Sequence, residues 1–154
     1  MRTFHKLLAG LTMIGLVAGP IAASAANSSS GSDSHPFAKH HYVIQVSENN
    51  PGLWTLAMNN AQNLLNYYGP SDVQVVIVAY GPGLKMLFKN SKVASRVQSE
   101  AMEGIEFDAC HNTMKHMAKK LGHMPAINSS AKVVPAGVVR IGELEGKGFA
   151  YIKP

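Results

Sequence analysis

Val73 to Tyr80 reads VQVVIVAY, an apolar run broken only by Gln74. A strand written this way has no side meant for water. It is covered on both faces, as the inner strands of a parallel sheet are. Upstream, Tyr42 to Val46 (YVIQV) reads as a second strand. Asn49-Asn50-Pro51 follows it, with Asn50 suited to cap a helix and Pro51 to the first helical position. Trp54, Ala57, Ala61, Leu64, Leu65 and Tyr68 then recur at helical spacing, and Gly69 ends the run. Downstream, Gly81-Pro82-Gly83 is a turn and Leu84 to Phe88 a short helical turn. Ser91 is placed to cap a helix whose Val93, Val97 and Ala101 form one stripe. Ile105 to Ala109 (IEFDA) is a third strand, and Asn112 to Leu121 a third helix that ends at Gly122. Lys132 to Val134 is a short strand. Val138, Ile141 and Leu144 mark a last helix ending at Gly146, and Phe149 to Ile152 (FAYI) closes the chain as a strand. This alternation predicts a single α/β domain with a mainly parallel sheet of about five strands. Right-handed crossovers place helices on both of its faces.

The composition agrees. The 154 residues are 46% hydrophobic and 15% charged, which excludes a disordered chain, a collagen-like repeat and a multi-span membrane protein. The single cysteine excludes an intrachain disulfide and a four-cysteine zinc site. Arg2, His5 and Lys6 precede an uncharged, mostly apolar run from Leu7 to Gly19, and Ala23-Ser24-Ala25 fits a cleavage site. That is the pattern of a secretory signal peptide over residues 1–25, and the apolar run is shorter than the ~20 residues that span a bilayer. Residues 26–39, with the stretch NSSSGSDS, read as a flexible polar spacer ahead of a domain at 40–154. The expected destination is a periplasm, with no membrane attachment after cleavage. Removing 25 residues leaves 129. Losing Arg2 and Lys6 leaves 12 basic side chains against 9 acidic, a charge of +3. No dense Lys/Arg block accompanies it, so nucleic acid is not an expected partner.

Sites in open α/β sheets gather beyond the carboxyl ends of the strands. Three loops qualify: Ser47 to Gly52, Tyr80 to Leu84, and Ala109 to Thr113. The last carries Cys110, between a strand and a helix start, where unpaired N–H groups favour a thiolate over a thiol. A charged His111 would lower the thiol pKa further. Cys110 and His111 are therefore the candidate catalytic residues. Glu106 and Asp108, on the Cys110 side by strict alternation, would oppose ionisation. A lone cysteine that fills core space is the competing account. Cys110, Met114 and Met117 share a helical stripe, with His111, His116, His123 and Met124 nearby. Thiolate and thioethers suit Cu(I), but Met114, Met117 and Leu121 are equally the buried face of an amphipathic helix, and that account is preferred. No metal or cofactor is expected. Gly142 to Gly148 has the wrong spacing for a phosphate loop, and no Gly-x-Ser-x-Gly elbow exists. Met86, Leu87 and Phe88 look like more apolar surface than a small domain buries alone, which points to self-association.

Three stretches resemble the DsrE/DsrF-like family in its exported form: YVIQVSENNPGLWTLAMNNAQNLL from Tyr42, GIEFDACHNTM from Gly104, and PAGVVRIGELEGKGFAYIKP to Pro154. The resemblance implies a three-layer α/β/α domain of flavodoxin-like architecture and a homo-oligomer, a trimer or hexamer. In the sulfur-relay members a cysteine after a strand holds a persulfide, and Cys110 matches that position. The implied function is a periplasmic sulfur carrier or sulfurtransferase working between a sulfur donor and an acceptor thiol protein. A copper-binding protein using Cys110 with Met and His, and an oligomeric interaction module without chemistry, are the alternatives.

Overall fold

The computed structural model describes residue 35 and residues 37–154. The expected signal peptide, 1–25, and most of the expected spacer, 26–39, lie outside the described residues. The spacer's last residues contact the domain body. His35 Nε2 lies 3.1 Å from the Gly104 carbonyl, and Lys39 Nζ lies 3.5 Å from Asp72.

Five strands form one sheet: β1 (His40–Val46), β2 (Val73–Ala79), β3 (Glu106–Cys110), β4 (Ala131–Val134) and β5 (Ala150–Ile152). Their order is β4-β3-β2-β1-β5, and every pairing is parallel. Every residue of β2 is buried, as its apolar run requires. Between the strands run α1 (Pro51–Tyr68), a 3-10 helix over Gly81–Leu87, α2 (Ala94–Met102), α3 (His111–Leu121) and α4 (Gly137–Gly146).

Strand alternation sorts the core into two. On one face Ile44, Val75, Ile77, Phe107 and Ala109 meet Trp54, Met58 and Leu65 of α1, Val97 of α2 and Met114 of α3. On the other, Val43, Val76 and Val78 meet Ile141 and Leu144 of α4 and Phe149. The domain is thus a single three-layer α/β/α unit of flavodoxin-like architecture. The chain steps across the sheet from β1 to β4 and then returns to the far side of β1. With right-handed crossovers, that reversal is why α4 alone lies on the second face.

Asn50 caps α1 by accepting the Gly52 N–H at 2.9 Å, and Gly122 ends α3 in the left-handed conformation. Three local expectations fail. Helix α4 buries Gly137, Ile141 and Leu144, and Val138 is 65% exposed, because the buried stripe starts one residue earlier than the apolar pattern suggested. Ser91 does not cap α2. Its hydroxyl accepts the Val93 N–H within the preceding turn, and Val93 holds the cap position. Met86 and Leu87 are fully buried within this chain and Phe88 is half-buried, so they give no argument for self-association. They turn inward because Gly83 lets the 3-10 helix lie against β1. A Cβ there would meet the Val46 carbonyl oxygen, and the Val46 carbonyl carbon at 2.7 Å.

Candidate functional site

The switch point of this sheet lies between β1 and β5, where such folds commonly open a crevice. Here Ser47, Glu48 and Leu53 close against Lys153 and Pro154, leaving a recess of only about 10 Å3. The other two loops come together instead. Gly81, with φ of 52°, donates its N–H to the Thr113 hydroxyl at 2.9 Å.

Cys110 is the last residue of β3 and the N-cap of α3. Its sulfur accepts the Thr113 N–H at 3.4 Å, taking the role an Asn or Ser oxygen fills in other helices. The Thr113 hydroxyl and the backbone N–H groups of Gly137 and Asn112 lie near enough to favour the thiolate as well, while the Asn112 N–H itself donates to the Pro135 carbonyl at 3.2 Å. Because the Thr113 oxygen already accepts from Gly81, its own proton is free for the thiolate. Two helix N-termini, of α3 and of α4, therefore converge on one sulfur atom. Burial to 5% exposure pushes the Cys110 thiol up, but these hydrogen bonds outweigh it and the pKa is lowered.

Helix α4 reaches the sulfur because residue 137 is glycine. A Cβ there would stand 2.9 Å from Tyr80 Cβ and 3.0 Å from Tyr80 Cδ1. Arg140, one turn on, donates Nε to Asp108 Oδ2 at 2.8 Å and ties α4 to β3. Asp108 is fully buried. Burial raises its carboxyl pKa, with Arg140 pulling the other way. Alternation does place Asp108 and Glu106 on the Cys110 side, as the sequence suggests. Both carboxylates have partners of their own, for Asp108 pairs with Arg140 and Glu106 accepts the Gln74 amide at 2.6 Å. Tyr80 follows β2 beside Cys110. Burial raises its phenol pKa, the charges of Tyr151 and Cys110 add to this, and a hydrogen bond with Gln45 opposes it.

His111 is the first residue of α3 and is half-buried. It is not among the groups that set the Cys110 pKa, which are Thr113, Gly137 and Asn112. Met114 is buried in the core, Met117 packs against it, and His116, His123 and Met124 are exposed. The thioethers of Met114 and Met117 are thus engaged in hydrophobic packing. Among the described residues, no three of His, Cys, Asp and Glu gather as metal ligands. No helix among them is long and apolar enough to cross a membrane. Sequence reading missed Thr113, Gly137 and Arg140. Thr113 had a local signal, since it stands three residues after the cap. Gly137 and Arg140 had none, because they arrive from another helix.

The fold and site define a class: a small, all-parallel α/β protein whose cysteine caps a helix at a strand end. No family model matches the chain, and no curated protein does. Among solved structures it is similar to MTH1491 from Methanobacterium thermoautotrophicum, described as a protein of unknown function. The TM-score is 0.68 and the identity 27%, over 75% of this chain and 99% of that one.

Proposed function

We propose that the protein is an exported member of the DsrE/DsrF-like family that carries sulfane sulfur as a persulfide on Cys110. The observation that supports this reading most is the place of the sulfur as N-cap of α3, where it accepts the Thr113 N–H at 3.4 Å with the Thr113 hydroxyl and the start of α4 at Gly137 also favouring its thiolate. Donors aimed at one buried atom favour its anionic form, and the thiolate is the form that attacks sulfur.

The Cys110 thiolate attacks the outer sulfur of a donor persulfide, R–S–S⁻. A bond forms between Cys110 Sγ and that sulfur. The donor's S–S bond breaks, and R–S⁻ leaves with the electron pair. In discharge, an acceptor thiolate attacks the outer sulfur and the Cys110 thiolate leaves. One sulfur atom moves in each step, with no net oxidation. The same donors stabilise Cys110 as attacking group in the first step and as leaving group in the second. At 5% exposure Cys110 itself meets little solvent, which limits its over-oxidation.

Intact-mass measurement after incubation with polysulfide tests the reading. Wild type should gain about 32 Da, one sulfur, removable by a reducing thiol. The Cys110→Ser variant should gain nothing. A wild-type protein that takes up no sulfur overturns the proposal.

A further inference from the structure

Beside Thr113, a cleft of about 650 Å3 opens between the 3-10 helix and α3. Its size falls in the ~300–1,000 Å3 range of small-molecule sites. Phe88 and Leu121 supply apolar lining, and both also line an adjoining recess of about 580 Å3, so the trough is elongated. Lys85 on one wall and His116 and Lys120 on the other line it as exposed residues, and none of its lining residues is acidic. Along α3, Thr113, His116 and Lys120 recur at helical spacing and point one face at the trough.

We infer that this cleft binds a small organic anion with an elongated apolar body, such as a medium-chain carboxylate. The apolar floor takes the body. Lys85 and Lys120, from opposite walls, hold the head group, with His116 between them. A site of one charge sign and no opposing carboxylate within it selects anions over neutral or cationic amphiphiles of equal length. The occupant lies against Thr113, the residue that donates to Cys110. The inference does not depend on persulfide chemistry and is measured without it.

The test uses the Cys110→Ser protein, so that failure of sulfur uptake and failure of binding are read separately. Decanoate, decanol and decyltrimethylammonium, each below its aggregation concentration, are titrated by calorimetry. Decanoate should bind one per chain, at least tenfold tighter than decanol, with no binding of the cation. Lys85→Gln combined with Lys120→Gln should weaken decanoate at least tenfold without changing the thermal melt. Leu121→Glu should abolish binding while leaving the melt intact. Equal binding of decanoate and decanol, indifference to the lysine changes, or no binding at all overturns the inference. So does association seen only with phosphatidylglycerol vesicles and not with monomeric decanoate.

Discussion

Arg140 Nε lies 2.8 Å from Asp108 Oδ2 and joins α4 to β3 two residues before the cysteine. This pair, with the Asp108 side chain 1% exposed and that of Arg140 18%, ties down the helix that starts at Gly137 near Cys110. Removing Arg140 would leave a buried carboxylate without its hydrogen-bonded counter-charge, with only Lys132 of β4 acting on it from a distance. Arg140→Met is expected to cost about 3–5 kcal/mol of stability, and adding Asp108→Asn should recover part of it. The pH dependence has a definite sign. The folded-state pKa of Asp108 is raised by burial, so the native state holds the proton more tightly than the unfolded chain. Its contribution is present below the unfolded carboxyl pKa and is lost as pH rises through the folded value. Without Arg140 that window extends upward. Urea midpoints from about pH 4 to about pH 8 should fall more steeply with pH in Arg140→Met than in wild type.

Thr113 is expected to control the thiol. With the pKa of Cys110 lowered, the rate of iodoacetamide alkylation should reach half its maximum below the ~8.5 of an ordinary cysteine. Thr113→Val removes the hydroxyl donor and keeps the shape, so the midpoint should move upward. Thr113→Ser restores the donor and should return it. A profile unchanged in Thr113→Val would show that the hydroxyl contributes nothing. His111→Ala should leave the midpoint near wild type.

Gly137→Ala probes the close approach of α4. The new Cβ would meet Tyr80 at 2.9 Å, so the helix start must move away from Cys110. The expected cost is about 1–3 kcal/mol from overpacking, together with an upward shift of the thiol midpoint as its donor retreats. Chemical denaturation and the alkylation profile read the two effects separately.

Gly83→Ala should be worse, because the atoms it meets are β1 backbone at Val46 and Ser47, which cannot swing aside. A loss of about 3 kcal/mol or more is expected, measured by thermal or urea unfolding. Gly142→Ala, on the exposed side of α4 with nothing near the new Cβ, is the control and should be neutral or slightly stabilising.

Much of the architecture was determined by local sequence. The apolar VQVVIVAY run requires a doubly covered strand, and Asn50-Pro51 and Gly122 mark helix ends through rules that act within a few residues. Cys110 was placed at a strand-to-helix junction by the same local logic, with Thr113 three residues on. What only the tertiary structure decided is everything that acts across the chain. It brings Gly137 and Arg140 from α4 onto β3, joins Gly81 to Thr113, and turns Met86 and Leu87 into the core. It also answers Asp108 with a counter-charge that no nearby sequence supplies. The physical reason is range. Capping, turn geometry and strand alternation act on neighbours in the chain, whereas the electrostatic setting of one sulfur depends on which distant N–H groups the packing brings within hydrogen-bonding distance.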